Sequence, residues 1–231
     1  FMQTLIIVGH PTPAASATQQ FLKAAVQDLR EINWHELADV KNHFDQQQEQ
    51  LLLQKSSRIV LQFPLYWYNI PNILKRWQDQ VLTETLQAKL AGKELGIVVN
   101  LGKAARDFQL GGSVGFSLSA LLSPLAAMAK HFQMRLLPLF VIDRFGYQTQ
   151  EQRQHLLVAY QQFLELPQPA TFAQREDWFL AKLKEKKLQA TGQQQQQLEL
   201  IEQQLLARTA DLADLQAVLH PVKEDDEAHG R

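Results

Sequence analysis

The sequence predicts an α/β protein with a parallel sheet, because five short apolar runs alternate with helix-like segments along its first two thirds. The segments between the runs carry apolar residues at three- and four-residue spacing, which is typical of helices with one buried face. Right-handed crossovers would place such helices on both faces of the sheet. Ligands of open parallel sheets bind outside the carboxyl ends of the strands, so functional residues are expected there.

The elements follow one another in a regular order. Strands are predicted at Leu5 to Val8, Ile32 to Leu37, Ile59 to Phe63, Leu95 to Val99 and Leu136 to Ile142. Helices are predicted at about Thr18 to Arg30, Gln47 to Gln54, Ile73 to Leu86, Phe116 to Phe132 and Gln150 to Glu165. The third strand is the best bounded, since polar residues precede it and Pro64 ends it.

Bulk composition excludes several classes of protein. The chain has 231 residues, 45% of them hydrophobic and 20% charged, enough for one full core and an appendage. A formal net charge of −1 provides no positive field to attract nucleic acid or an anionic membrane. The absence of cysteine removes disulfides, thiolate nucleophiles and iron–sulfur ligation, and fits a cytoplasmic protein. The first apolar run is too short to span a bilayer and has no basic residues before it, so no secretion signal is expected.

The composition changes at residues 166–169, where strand patterns end and Gln, Lys, Glu and Leu become frequent. We therefore predict a first domain over residues 2–166, a helical extension over 170–220 and a flexible tail over 221–231. The extension is expected to be a hairpin of two helices, Thr171 to Leu188 and Gln193 to Leu219. The second helix carries an apolar stripe of about three heptads, so packing within this chain is favoured over a coiled coil. The stripe consists of Leu198, Ile201, Leu205, Leu212, Leu215 and Leu219.

The loop after the first strand has the features of an anion site. Ser16 is a good helix N-cap, and Gln19 stands at capping-box spacing from it. The amides of Ala17, Thr18 and Gln19, the nearby hydroxyls and the helix dipole would suit a phosphate monoester. Ordinary helix capping is the alternative. His10 would either contact a phosphate or ribityl chain or pack against the end of the sheet.

The segment after the third strand places three aromatic residues in a row, at the edge where a flat ligand could bind. The alternative is that these rings cover the sheet edge. Because this segment and the first loop follow adjacent strands, one ligand with a phosphate at one end and a flat ring at the other could span both. The residues concerned are Pro64, Leu65, Tyr66, Trp67 and Tyr68.

Several familiar motifs are missing. The sequence has neither a glycine-rich dinucleotide fingerprint nor a P-loop after a strand, which excludes a classical dinucleotide or nucleoside triphosphate site. It has no Gly-x-Ser-x-Gly elbow, so a hydrolase triad is unsupported. No second ligand stands at metal spacing beside His10, and we expect no metal site. No side chain is assigned as a covalent catalyst.

Three segments together resemble the flavodoxin-like NAD(P)H:quinone oxidoreductase family, which includes DT-diaphorase and the ancillary oxidoreductases of potassium-efflux systems. They are Leu5-Ile6-Ile7-Val8-Gly9-His10-Pro11 with Ser16, the run from Phe63 to Pro71, and Leu74-Lys75-Arg76-Trp77-Gln78-Asp79-Gln80-Val81. The resemblance covers about residues 3 to 165. It implies a flavodoxin-like fold with a five-stranded parallel sheet in the order 2-1-3-4-5, flanked by helices.

The resemblance also implies a site. His10 and Ser16 to Gln19 would hold the phosphate and ribityl chain of a flavin, and the segment from Leu65 to Tyr68 would contact its isoalloxazine ring. A third flavin segment corresponds to Asn100, Leu101, Gly102 and Lys103. The loop that would wall the pocket for nicotinamide and quinone contains Phe108, Gly111, Gly112 and Phe116.

The implied activity is hydride transfer from NAD(P)H through FMN, or alternatively FAD, to a quinone or similar acceptor, in a homodimer. Two departures weaken this implication: the family's aromatic-glycine insert is absent from residues 82–93, and no Tyr/His pair is recognisable near Gly111 to Leu121. The missing insert and the altered turn at Asn100, where the family has a Thr-Thr-Gly-Gly-like turn, motivate a second hypothesis. The alternative is a flavin-binding regulatory protein with little turnover, whose helical extension docks a partner such as a transporter subunit. A one-electron carrier is disfavoured, because such carriers tend to be strongly acidic.

Overall fold

The computed structural model describes residues 3–39 and 43–205, and the chain divides into two compact units between Ala170 and Thr171. The strands of the first unit are β1 Thr4–Val8, β2 Ile32–Glu36, β3 Arg58–Pro64, β4 Glu94–Leu101, β5 Arg135–Leu136 and β6 Phe140–Asp143. Its helices are α1 Ala17–Val26, α2 Gln46–Lys55, α3 Asn72–Val81, α4 Gln87–Leu90, α5 Leu118–Leu121, α6 Ser123–His131 and α7 Gln150–Glu165.

The sheet is parallel and its order is β2-β1-β3-β4-β5, which confirms the expected flavodoxin-like order. The expected single fifth strand from Leu136 to Ile142 is wrong in one respect. It is split into β5 and β6, and both pair with β4. Pro138 lies between them and has no N–H to donate to the ladder, so the strand is interrupted there.

The helices differ from expectation mainly at their ends. The predicted helix from Ile73 to Leu86 ends at Val81, and a 3-10 turn at Glu84–Leu86 and the short α4 follow it. The predicted helix from Phe116 to Phe132 consists of α5 and α6, with Pro124 in the first turn of α6. The prediction for α7 is confirmed at both ends, and Thr149 caps it with a full capping box.

Two apolar clusters form the core. Alternate strand residues belong to different clusters, as the two-residue period of a strand requires. Ile7 and Leu61 belong to the cluster that includes Trp77 of α3, whereas Ile6 and Val60 belong to the cluster that includes Tyr160 of α7. The sheet is therefore covered by helices on both faces.

Ionic contacts tie the amino ends of β3 and β4 to the end of α7. Arg58 is fully buried, and its guanidinium donates to Glu94 Oε2 at 2.5 Å and to the carbonyl oxygens of Phe163 and Leu166. Arg135 donates to the other carboxylate oxygen of Glu94. Since carbonyls at the end of a helix have no intrahelical donor, Arg58 acts as the cap of α7.

The second unit contains α8, Phe172–Gln189, and a helix whose described part covers residues 193–205. Thr171 caps α8 with a capping box. The Lys187 ammonium lies 3.4 Å from Glu199 and 3.0 Å from Glu202, which links the two helices. The predicted stripe residues Leu212, Leu215 and Leu219 and the predicted tail lie outside the described residues. Within residues 3–39 and 43–205, no helix combines the length and apolar character needed to cross a membrane.

Candidate functional site

The loop after β1 and the aromatic segment after β3 lie side by side, because β1 and β3 are neighbours in the sheet. The Gly9 amide donates to the Gln62 carbonyl at 2.8 Å, which extends the pairing beyond the strand. A Cβ atom on Gly9 would lie 2.8 Å from Cβ of Leu74, so only glycine allows α3 to pack this closely. This contact fixes the aromatic segment, which leads into α3, beside the first loop.

The amino end of α1 retains free donors. The Ser16 hydroxyl accepts from the Gln19 amide at 3.3 Å and caps the helix. The amides of Ala17 and Thr18 have no intrahelical acceptor, and the first turn contains no acidic residue. Because the positive end of the helix dipole lies here, this turn is suited to an anion.

Gln19 differs from the expectation. The predicted capping box is not formed, because the Gln19 side chain is buried instead of returning to Ser16. Its Oε1 accepts from Gln62 Nε2 at 2.6 Å, and Gln62 Oε1 accepts from the Tyr160 hydroxyl at 2.6 Å. Burial raises the pKa of Tyr160 well above its usual value, so this hydroxyl stays protonated and remains a donor. Gln19 thus donates its backbone amide to the Ser16 cap and places its side chain in the core.

His10 is buried and its two ring nitrogens are both engaged. Nδ1 accepts from the Thr12 amide at 3.0 Å, and Nε2 lies 3.3 Å from the Tyr66 hydroxyl. Burial lowers the pKa of His10, which favours the neutral ring. A neutral imidazole carries one proton, and since Nδ1 accepts, that proton is on Nε2 and is donated to Tyr66.

The aromatic segment is a tight turn from Tyr66 to Asn69, closed by two backbone hydrogen bonds of 3.0 Å. Its central residues, Trp67 and Tyr68, have φ values of 48° and 64°, a region that bulky side chains rarely adopt. Trp67 is 93% exposed, and Tyr66 and Tyr68 are each 45% exposed. A ring that covered the sheet edge would be buried. This turn instead holds strained, exposed rings at the carboxyl edge, a combination typical of ligand-binding segments.

The end of β4 adjoins the same turn. The Leu65 amide donates to the Asn100 carbonyl at 2.9 Å. Leu101 is buried, whereas Gly102 and Lys103 are exposed just beyond it. Farther along this connection, the Ala105 amide donates to Asp143 Oδ2 at 3.0 Å, so the segment is anchored to the end of β6.

The loop over residues 108–116 contributes unequal parts to the edge. The Phe108 ring is only 7% exposed and belongs to the core, whereas Phe116 is 64% exposed. Gly111 has a φ of 76°, and a Cβ on Gly112 would lie 2.4 Å from the Asp107 carbonyl oxygen. Both glycines are therefore required by the backbone, and Phe116 is the exposed ring of this loop.

A cavity of about 590 Å³ opens beside the aromatic turn, between α3 and α6. Asn69 and Ile70 line one end of it. Leu82, Thr83 and Glu84 line another part, at the place where the family's aromatic-glycine insert is absent. The described residues contain no group of three or more histidine or acidic side chains that could hold a metal ion.

The residues present fit a flat, phosphorylated ligand such as FMN. Free amides and the Ser16 hydroxyl offer an anion site at α1, and the strained turn offers exposed rings. Both follow neighbouring strands, with the end of β4 beside them. Sequence reasoning identified these segments, but it missed the contact between His10 and Tyr66, which has no local sequence signal.

Comparison with known proteins places this arrangement in context. A family model described as "flavodoxin-like fold" matches residues 2–164. A solved NADPH-quinone reductase from P. pentosaceus is 43% identical with a TM-score of 0.68, and the match covers 72% of this chain and 100% of that one. General stress protein 14 from Treponema denticola, solved in complex with FMN, is 31% identical with a TM-score of 0.65, and the match covers 71% of this chain and 98% of that one. The ancillary protein of the glutathione-regulated potassium-efflux system of Salmonella typhi is 33% identical over 169 residues, which are 66% of this chain and 94% of that protein.

Proposed function

The chain belongs to the family with the flavodoxin-like fold, and we propose that it is a flavin-dependent NAD(P)H oxidoreductase that transfers a hydride through FMN to a quinone or similar acceptor. One observation carries the proposal: a helix amino end with free amides and a strained aromatic turn meet at the carboxyl edge of adjacent strands. The reaction and the cofactor in this proposal are supported by the similarity to a solved NADPH-quinone reductase and to a protein solved with FMN.

The chain's own residues have binding and positioning roles in this proposal. A bound FMN would supply the redox chemistry, namely hydride acceptance from the nicotinamide and two-electron reduction of the second substrate. The amides of Ala17 and Thr18 and the cap at Ser16 would hold its phosphate. Leu65 to Tyr68 would contact the ring, and the backbone from Asn100 to Lys103 would supply donors to its polar edge.

The second substrate would bind over the same edge. Phe116 offers an exposed ring there, and Gly111 and Gly112 keep the nearby backbone free of side chains. Phe108 would support this loop from below, since its ring lies in the core. Nicotinamide and quinone are flat, so an aromatic wall suits both in turn.

The test is a visible absorbance spectrum of the protein after loading with FMN and removal of the excess. Addition of NADH or NADPH without air should bleach the flavin band, and a quinone should then restore it. A protein that retains no flavin would overturn the proposal.

A second candidate function is supported by the similarity to an ancillary protein of a potassium-efflux system. In this role the chain would bind flavin and a partner protein with little turnover. A flavin band that persists in the presence of both NADH and NADPH would favour it. Steady oxidation of either nucleotide with a quinone would contradict it.

A homodimer is also part of the proposal. Trp67 and Phe116 are exposed, and the cavity between α3 and α6 adjoins the aromatic turn at Asn69 and Ile70. A second subunit would cover such apolar surface, and light scattering coupled to size exclusion should give twice the chain mass. The cytoplasmic location stays a prediction.

A further inference from the structure

We propose that the hydroxyl of Tyr66 donates a hydrogen bond to the phosphate of the bound flavin, and that His10 is the positioning residue that directs it. This inference rests on the proposed function and deepens it. It reassigns a role that the resemblance gave to His10 itself. It also moves Tyr66 from the ring end of the ligand to the phosphate end.

The contacts of His10 fix which of its ring nitrogens carries the proton. The Thr12 amide donates to Nδ1 at 3.0 Å, so Nδ1 carries no proton. The single proton of the neutral ring is then on Nε2, which lies 3.3 Å from the Tyr66 hydroxyl oxygen. His10 therefore has no donor left for a phosphate. Because Nε2 carries the ring proton, it has no lone pair to accept a hydrogen bond, and the Tyr66 hydroxyl cannot donate to His10.

The Tyr66 hydroxyl proton is not used by His10. Its hydroxyl oxygen accepts from His10, and its own proton must point elsewhere. The side of the hydroxyl that faces His10 is occupied and Tyr66 is 45% exposed, so its proton is available to a ligand at the open edge of the sheet. The two rings meet edge to face, with centroids 6.2 Å apart and planes at 66°, which limits rotation of the tyrosine ring.

The Tyr66 hydroxyl lies at the end of the turn that faces the first loop. The hydroxyl lies against His10, at the start of the loop that leads to Ser16 and the amino end of α1. It is therefore on the side of the anion site. The tip of the turn, with Trp67 and Tyr68, is the part left for the ring of the ligand. A tyrosine hydroxyl on this side of the turn is a suitable donor to a phosphate oxygen, where the bond is charge-assisted.

The experiment measures the affinities of FMN and riboflavin, which lacks the phosphate, for the full chain by quenching of flavin fluorescence. Tyr66→Phe should weaken FMN binding about tenfold, because one charge-assisted hydrogen bond is lost. Riboflavin binding should change less than about twofold. Tyr68→Phe is the matched control, since it removes the other hydroxyl of the same turn at the same exposure. Its ratio of FMN to riboflavin affinity should equal that of the wild type.

The outcomes are distinct. Unchanged FMN affinity in Tyr66→Phe, or equal losses for FMN and riboflavin, would overturn the inference and leave the proposed function intact. A wild-type chain that binds no FMN would overturn both. If Tyr66→Phe is shown by circular dichroism to be unfolded, His10→Asn decides the question. Asparagine keeps an acceptor for the Thr12 amide but cannot reach Tyr66, so the affinity ratio should fall severalfold, and an unchanged ratio would reject the inference.

Discussion

The two edges of the sheet use polar residues in opposite ways. At the amino edge, the Arg58 guanidinium is fully buried and every contact described for it is internal, to Glu94 and to two carbonyls at the end of α7. Lys93 likewise donates to three carbonyls at the end of α2. At the carboxyl edge, amides at α1 lack intrahelical acceptors, and the turn at Trp67 is strained and exposed. The polar groups of one edge have partners within the chain, whereas the other edge keeps free amides and exposed rings.

Residues that stabilise the fold and residues expected to bind a ligand therefore lie at opposite edges of the sheet. A buried charge with complete partners holds elements together, and removing one partner is strongly destabilising. A strained backbone with exposed rings lowers stability and is kept only where it serves binding. Substitutions at the two edges should therefore change stability in opposite directions.

The largest expected effect is at the amino edge. Arg58→Met should lower the free energy of unfolding by about 3–5 kcal/mol, because it leaves the buried Phe163 carbonyl and one oxygen of Glu94 without their donor and removes a donor from the Leu166 carbonyl. Urea denaturation measures this. Arg135→Met is the matched control, because Arg135 pairs with the same carboxylate but is half exposed. It should cost at most about 1 kcal/mol. Equal losses in the two variants would contradict the comparison.

The second expected effect has the opposite sign. Replacing Trp67 and Tyr68 by Asn and Gly, which favour positive φ, should raise the free energy of unfolding by about 1–2 kcal/mol. FMN affinity should fall at least about tenfold, since two rings are lost. Thermal unfolding and fluorescence titration measure the two quantities.

The control for this variant is Tyr147→Asn. Tyr147 is 85% exposed and is not among the residues with positive φ, so its replacement should change stability by less than about 0.5 kcal/mol. A gain of similar size at Tyr147 would show that loss of an exposed ring, and not relief of backbone strain, stabilises the protein.

The smallest expected effect is the pH dependence due to His10. Its pKa in the folded chain is lowered by burial, so below about pH 6.5 the unfolded chain binds a proton first. The contribution of His10 to the free energy of unfolding is complete above that pH. It is lost as the pH falls, by at most about 1.4 kcal/mol per pH unit. In flavin-free protein, His10→Asn should lose stability less steeply between pH 7 and pH 5. Parallel curves for the two proteins would reject this role of His10.

Much of the fold follows from local pattern. Apolar runs predicted the strands, and three- to four-residue spacing predicted the end points of α7. The family resemblance implied the sheet order, which the structure confirms. Ser16 was predicted as the cap of α1 from residue type and position alone, and the structure confirms it. The split of the fifth strand had a usable signal in Pro138, whose missing N–H breaks a ladder at a known position.

Other features depend on residues far apart in the chain. The Gln19 side chain does not return to the α1 cap, because it hydrogen-bonds Gln62, which in turn accepts from Tyr160 on another helix. Arg58 found its partners 36 to 108 residues away. The positive φ values at Trp67 and Tyr68 contradict the preferences of these residues, so no local rule predicts them.

Residue patterns alone specify the layers of this protein, the segments that follow its strands at the carboxyl edge and the free donors at a helix start. These depend on periodicity and on the geometry of one helix or strand, which neighbouring residues specify. Tertiary packing was needed to show that the His10 ring contacts Thr12 and Tyr66, that Phe108 belongs to the core and that Arg58 caps α7 at the amino edge. Hydrogen-bond partners and burial depend on which distant elements pack together, and that is settled when the sheet and its helices assemble.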